Sequence, residues 1–301
     1  VVTSPNTIFK NHYKVEPGQI IEIDINKNFH KKKEYYWRLE ENYDTKKFDS
    51  DVFYDLLVDS IRMRNVSDVP IANFLSGGID SSLIVMLQSL IQSNPNTFSV
   101  GYEDKKYDES EWSNLVSKQY STNHDLMFIN IDDLENLVEK SLEIFDEPYA
   151  DPSVLPSYAI SKLISKNYKV AISGDGGDEL SGGYIRTHQI LQSKNLNHSL
   201  LRLIFNIYPS YFGSGLNILR NSNNKNLAYS AYFEDRKLLN LLNIETNNNF
   251  VEKYTTNDFS TYKNLMFTEY KFYLSEQMML KVDRTSMANS LEVRSPFVDH
   301  R

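Results

Sequence analysis

Residues 71–82, Ile-Ala-Asn-Phe-Leu-Ser-Gly-Gly-Ile-Asp-Ser-Ser, constrain this chain more than any other stretch. An apolar run of Ile71, Ala72, Phe74 and Leu75 meets two glycines, and a second apolar run, Leu83-Ile84-Val85-Met86-Leu87, follows. That order predicts a strand, a tight turn and a buried helix. Gly77 and Gly78 permit positive φ and let a ligand touch the backbone, and Ser76, Ser81 and Ser82 supply hydroxyls around them. Because the turn opens a helix, its first N–H groups lack intrahelical partners and carry the positive end of the dipole. Such a turn is an anion cradle suited to phosphate. It is not a Walker loop, which needs a spaced second glycine and a following lysine. Asp80 beside a polyphosphate is repulsive unless Mg²⁺ bridges the two. The plainer alternative is a Gly-Gly turn whose Ser and Asp cap the helix. The complete Ser-Gly-Gly-x-Asp-Ser string favours phosphate.

A second strand–loop unit lies a hundred residues on. Lys169-Val170-Ala171-Ile172 predicts a strand entering Ser173-Gly174-Asp175-Gly176-Gly177-Asp178-Glu179 and leaving through Leu180-Ser181-Gly182-Gly183-Tyr184. So many glycines and carboxylates read as a loop, because the backbone entropy cost is large and the side chains bury little. Asp175, Asp178 and Glu179 repel one another unless a cation sits among them. Asp80 and Asp178 are the candidates to hold one Mg²⁺ on pyrophosphate oxygens. The ligand spacing of an EF-hand is not met.

Between these loops, Thr97 to Tyr102 predicts the next parallel strand, its carboxyl end beside the first loop. Backbone groups at Ser99 and Val100 are candidates to read an adenine edge, a core strand being the alternative. Tyr107-Asp108-Glu109-Ser110-Glu111-Trp112 starts a helix with early acidic residues. Leu126-Met127-Phe128-Ile129 is the following strand. His124, just before it, suits a hydrogen-bonded structural residue better than a ligand. The proline-held acidic loop 146–153 reads equally as a solvated turn or as a group orienting a substrate amine.

Residues 1–40 read as strand and turn. Pro17-Gly18 makes the turn, and Ile20, Ile21, Ile23 and Ile25 partly alternate with Glu22 and Asp24 as in a half-buried strand. Residues 38–50 read as a linker, after which Phe53, Leu56, Leu57, Ser60 and Ile61 recur at helical spacing. Residues 185–265 are helical in tone, broken by Asn-rich stretches at 221–224 and 247–249, and read as a covering layer. Towards the end, Met278, Met279, Val282, Met287 and Leu291 read as core. Arg284 and Arg294 need partners if buried. Glu292 is the nearest for Arg294, and either arginine could instead face phosphates or a substrate carboxylate.

Composition narrows the classes. A length of 301 residues with 41% apolar and 24% charged residues suits a soluble globular protein with a sizeable core. The formal charge of −8 argues against a nucleic-acid partner. No apolar segment is long enough to span a bilayer, and no signal peptide is visible. The absence of cysteine excludes disulfides, thiolate metal sites and a cysteine nucleophile within the chain, and agrees with a cytoplasmic setting. The first residue is not Met, which suggests a piece of a longer protein.

The Ser76–Ser82 string resembles the pyrophosphate loop of the N-type ATP pyrophosphatases. Phe-Leu-Ser-Gly-Gly-Ile-Asp-Ser-Ser, Phe-Ser-Val-Gly-Tyr, Asp-Glu-Pro…Asp-Pro-Ser, Ser-Gly-Asp-Gly-Gly-Asp-Glu-Leu-Ser-Gly-Gly-Tyr and Asp-Arg-x-Ser-Met-Ala…Glu-x-Arg-x-Pro-Phe-Val-Asp stand in order. Together they resemble the glutamine-hydrolysing asparagine synthetase family, from about residue 45 to the end. Thr7 to Lys10, Pro17-Gly18 and Tyr36-Trp37 are similar to the end of that family's glutaminase domain.

The resemblance implies an α/β fold, a parallel sheet with helices on both faces (adenine nucleotide hydrolase-like), preceded by a short β remnant. Residues 1–40 would be the C-terminal tail of an Ntn-type glutaminase domain, and 45–301 the ATP pyrophosphatase domain, truncated at its C-terminus. It implies an ATP site of Leu75, Ser76, Gly77, Gly78, Asp80, Ser81, Ser82, Val100, Ser173 and Gly174, with Mg²⁺ on Asp80 and Asp178. Asp175 falls where the family forms the aspartyl adenylate, some relatives carrying Glu there. Arg284 is the second catalytic candidate. The implied substrates are aspartate, ATP and ammonia, the last released from glutamine, with no nucleic-acid or membrane partner and a homodimer for the full-length enzyme. The family's catalytic lysine would fall beyond Arg301. Relatives that amidate another carboxylate such as a sugar acid, or close a β-lactam, share the loops, and a tRNA-modifying ATP pyrophosphatase is the reading from a different class.

Overall fold

The Pro17-Gly18 turn launches a hairpin, β1 (Gln19–Asp24) antiparallel to β2 (His30–Tyr35), with Gln19 opposite Tyr35 and Asp24 opposite His30. The predicted alternation is present but the predicted burial is not, since Ile20 and Ile23 are 45% and 49% exposed. Among the described residues β1 pairs with a lysine-rich strand alone, and a two-stranded hairpin offers little surface to bury a face against. The computed structural model describes residues 2–27, 29–41, 47–106, 108–129, 138–140, 142–147, 149, 151–193, 221, 223–233, 250–255 and 260–301. It divides into two units, Val1–Gly176 with Ser275–Arg301, and Gly177–Leu274.

In the first unit, Asp49 caps α1 (Ser50–Arg64) by accepting from the N–H groups of Asp51 and Val52. Leu57, Ser60 and Ile61 of the predicted helical face are buried, while Phe53 and Leu56 lie at its exposed margin. There follow β3 (Ile71–Phe74), α2 (Ile79–Ile91), β4 (Asn96–Tyr102), α3 (Ser110–Gln119), β5 (Asn123–Ile129), α4 (Val154–Ile164) and β6 (Val170–Ile172). β5 starts at Asn123, earlier than predicted, so His124 lies within the strand. Its polar first half hides the strand from a hydrophobicity pattern. Tyr107, Pro148 and Ala150 lie outside the described residues.

The sheet runs β5-β4-β3-β6-β7, every neighbouring pair parallel. Strand alternation divides its side chains between two cores. Ile71, Val170 and Ile172 face Leu57 and Ile61 of α1, Ile84 and Leu87 of α2, and Phe297. Ala72, Phe98 and Ala171 face Ile160 and Ile164 of α4, and Leu291. Helices thus cover both faces, as expected. Each such aliphatic or aromatic side chain stabilises the fold by roughly 1.5–3 kcal/mol relative to exposure.

The regular elements of the second unit are all helical among the described residues. The unit begins with a five-residue helix, α5 (Gly177–Ser181), and continues with α6 (Ile185–Gln192), α7 (Lys225–Tyr232) and α8 (Thr261–Thr268). Ile190, Ala228, Tyr229, Val251, Leu265 and Phe272 form its core. Arg186 grips Glu269 through Nε (2.9 Å) and Nη2 (2.6 Å), and Thr187 Oγ1 adds a bond to the same carboxylate. The guanidinium lies 3.8 Å from the Tyr184 ring centroid and 4.0 Å from that of Tyr273. Ser222 and the Asn-rich stretch 247–249 lie outside the described residues. From α8 the chain winds as a π-helix over Glu269–Met278.

The π-helix leads into α9 (Met279–Met287) and β7 (Glu292–Arg294), both of the first unit. Of the methionines and aliphatics expected in the core here, Val282 and Leu291 are buried and Met287 is 54% exposed. Met287 ends α9, where the helical stripe has turned to solvent. β7 is a three-residue strand invisible to any periodicity. It is held by pairing to β6, with Val170, Ala171 and Ile172 opposite Glu292, Val293 and Arg294.

Candidate nucleotide site

β3 and β6 are neighbours at the centre of the sheet, yet the chain builds outward from β3 to β4 and β5 on one side and from β6 to β7 on the other. Loops leaving adjacent strands in opposite senses open a crevice at their carboxyl ends, where open α/β sheets bind ligands. The two glycine-rich stretches begin at that point.

The first loop is built on its own hydroxyls. Ser81 Oγ accepts from Ser76 N–H at 3.2 Å, lies 2.9 Å from Ser76 Oγ and donates to the Gly78 carbonyl at 3.2 Å. Gly78 N–H donates to Ser76 Oγ at 3.2 Å. Gly77 takes φ +86°, and a Cβ there would stand 2.6 Å from Ser113 N and from Trp112 Cβ, so α3 closes the loop from outside. Gly78 is the N-cap of α2 and supplies no side-chain cap, which leaves the start of that helix open to an anion.

The second loop meets the first directly. A Cβ on Gly174 would stand 2.8 Å from Ser81 N and 3.0 Å from Asp80 C, so bare backbone lies on the first turn of α2. Ser173 is buried, its N–H donating to the Arg294 carbonyl at 3.0 Å. Asp175 is half-buried on the same loop. Ser76, Gly77, Gly78, Asp80, Ser81, Gly174 and Asp175 are thereby gathered at the crevice.

Three expected residues stand differently. Leu75 is fully buried, its N–H donating to the Phe98 carbonyl at 2.9 Å and its carbonyl accepting from Ser99 Oγ. Val100 packs its side chain against the Ala72–Ala171 core, which leaves its backbone as the part able to face a base. Ser82 Oγ is buried without a hydrogen-bond partner, so this hydroxyl does not line the open face of the loop.

The remaining candidates are committed to protein partners. Arg284 pairs with Asp146, Glu147 with Lys14 at 2.9 Å, and Asp151 Oδ1 accepts from Ser153 N–H at 2.9 Å and Oγ at 2.7 Å. The acidic loop therefore fastens α4, α9 and the N-terminal segment. Lys281, to which the sequence reading gave no role, is buried and donates to Ser153 Oγ at 2.8 Å. Its place in the string Lys-Val-Asp-Arg is the only sequence signal for it. His124 Nδ1 lies 3.0 Å from Thr97 Oγ1, and burial lowers its pKa, which suits a neutral structural histidine.

In the second unit, Glu179 is 2% exposed. Burial pushes its pKa up to about 7, against the bond that Tyr184 Oη donates at 2.7 Å. Part of the second Gly-rich stretch is thus a packed helical turn, contrary to its reading as a loop throughout, and Glu179 meets its like-charged neighbours by tending to protonate. The Asp178 carboxylate lies over Gly183 and would have to swing aside for a Cβ there, and burial raises its pKa, partly offset by Arg186.

Among the described residues no three His, Asp or Glu side chains converge on a metal position. A Mg²⁺ ion on a nucleotide does not need them, since one or two carboxylates plus phosphate oxygens and waters complete its octahedron. Asp80, in the first turn of α2, fits that use.

A parallel α/β sheet with two Gly-rich loops at its switch point defines a phosphate-binding class of fold. The family model "Asparagine synthase" matches residues 52–301, and the chain belongs to that family. It is 40% identical over 192 residues to a putative glutamine-hydrolysing asparagine synthetase 2 of Methanocaldococcus jannaschii, covering 62% of this chain and 36% of that protein. It is 30% identical over 261 residues to the glutamine-hydrolysing asparagine synthetase 1 of Bacillus subtilis, covering 81% of this chain and 41% of that one. The chain spans less than half the length of these relatives.

Proposed function

We propose that this chain is the ATP-using part of an amide ligase whose acceptor is aspartate. Residues 45–301 form the ATP pyrophosphatase domain, and residues 1–40 the tail of a glutaminase domain. The observation carrying this reading is Gly174 seated on Asp80 and Ser81, which joins both Gly-rich loops at the uncapped start of α2. The triphosphate lies against the Ser76–Ser81 backbone, and the base lies towards the backbone of Val100. A β-carboxylate oxygen of aspartate attacks the α-phosphorus, the bond to the bridging oxygen breaks and pyrophosphate leaves. Ammonia then attacks the acyl carbon and displaces AMP, losing a proton as the amide forms.

The first step brings anions together, so fixed N–H groups of the loops must stabilise the charge that develops. Mg²⁺, with Asp80 and Asp178 as its proposed protein ligands, would neutralise phosphate charge when bound. Asp175 is the residue proposed to act at adenylate formation. Arg284 would have to leave Asp146 to serve the phosphates. In the longer protein glutamine supplies the ammonia. A cytoplasmic location and a homodimer are further parts of the proposal, and no described helix is long and apolar enough to cross a membrane.

The test is ATP–pyrophosphate exchange on the full-length protein with a series of carboxylic acids. Exchange that depends on aspartate supports the reading. Exchange that depends only on another acid, such as a sugar acid, would replace the acceptor, and none with any acid would overturn the adenylation chemistry.

A further inference from the structure

The loop at residues 173–176 rests on a wall formed by β7 and the turn after it. Ser173 N–H donates to the Arg294 carbonyl at 3.0 Å, and the buried hydroxyls of Ser173 and Ser295 lie 3.1 Å apart. Gly176 takes φ +95°, and a Cβ there would stand 2.8 Å from Val298 Cγ2. The height of the loop is therefore set by residues 294–298.

That wall is in turn fastened to α1. Ser60 Oγ donates to the Pro296 carbonyl at 2.7 Å. Arg294 Nη1 donates to the carbonyls of Arg64 and Val66, at 2.8 Å each, where α1 ends. Asp299 accepts from Arg64 Nη1 at 3.0 Å, from Arg301 Nε at 2.9 Å and from Arg301 Nη2 at 3.2 Å. Asp299 thus gathers two guanidinium groups with only 12% of its side chain exposed. Hydrogen bonds from Arg301 first, and also from Arg64, hold its carboxyl well below the usual carboxylate range. Charge-assisted bonds to a largely buried carboxylate hold geometry better than an exposed pair does.

We infer that Asp299 is a positioning residue for the nucleotide loop Ser173–Gly176. By clamping the 295–298 turn to α1 it sets where the loop backbone stands over α2, without touching the ligand. This rests on the nucleotide reading of that loop given above.

The experiment compares the full chain with Asp299→Asn, which keeps the shape and removes the charge. The dissociation constant for Mg-ATP rises about three- to tenfold, less than the roughly 12- to 150-fold of a whole charge-assisted bond, because asparagine keeps a neutral acceptor and the effect reaches the ligand only through the loop. Amide hydrogen exchange at 173–176 accelerates while exchange at 75–81 does not change. Arg64→Gln acts in the same direction, and Arg64→Lys recovers most of the affinity, a rescue that a bulk stability effect would not give. Ser60→Ala, a milder loosening of the same wall, serves if Asp299→Asn does not fold. Parental ATP affinity with parental exchange at 173–176 in the variants would overturn the inference, even if their melting temperature fell. A parent chain that bound no ATP would count against the nucleotide reading, and exchange at 173–176 would still decide whether Asp299 positions the loop.

Discussion

Gly174→Ala is the sharpest perturbation the crevice offers. Gly174 lacks a positive φ, so alanine meets no backbone strain there, and only space decides its effect. The new Cβ would stand 2.8 Å from Ser81 N, where ordinary contact begins at 3.4 Å. Its neighbours are backbone atoms of α2's first turn, which cannot rotate away as a side-chain tip can. The loop must therefore lift by roughly half an ångström, the kind of overpacking that costs about 1–3 kcal/mol. If that cost falls on the ligand-bound geometry, Mg-ATP affinity drops by about five- to 150-fold. The core clusters on both sheet faces are untouched, so the fold should persist. The assay is isothermal titration of Mg-ATP, with circular dichroism as the check on folding. A folded Gly174→Ala variant that bound Mg-ATP within twofold of the parent would refute the reasoning, because the loop contact would then not border the ligand.

Three further outcomes are expected. Asp80→Asn and Asp178→Asn each weaken binding of Mg-ATP with the fold intact, and parental titration curves for either would remove it from the proposed metal site. Glu179 has its pKa raised by burial, so the folded state holds a proton that the unfolded state has lost between about pH 4.5 and 7. Its share of stability is present below that window and is lost as pH rises through 7. Glu179→Gln should flatten the dependence, by up to about 3 kcal/mol above pH 7, and an unchanged pH profile in urea unfolding would contradict the assignment. Arg186→Met strands the fully buried carboxylate of Glu269 and should cost about 3–5 kcal/mol; a loss below 1 kcal/mol in the same assay would show the pair to be dispensable.

Local signals were legible and distant ones were not. The strand, Gly-Gly turn and helix at 71–91 are contiguous, so apolar runs and glycine chemistry suffice to place them. The Glu292 partner of Arg294 was also within reach, two residues away, and the pair is present at 2.7 Å. The same guanidinium's bonds to the carbonyls of Arg64 and Val66 join residues some 230 positions apart, and no local pattern encodes them. β7 went unseen for the same reason, being a strand only by virtue of β6. The hairpin shows the converse failure, where a correct alternation promised a burial that β2, its partner among the described residues, does not supply. Ser82 belonged to a phosphate-loop string, yet its hydroxyl turns inward, which depends on the rotation of α2 rather than on composition. The committed partners of Asp146 and Arg284 likewise come from separate elements.

The central claim is that the loops after β3 and β6 together hold a nucleotide triphosphate. Amide hydrogen exchange of the chain with and without saturating Mg-ATP tests it most directly. Protection concentrated at residues 75–81 and 173–176, with a smaller effect at 100–101, is the predicted result. Binding of Mg-ATP that left both loops exchanging at their unliganded rates, or that protected other segments instead, would contradict the account.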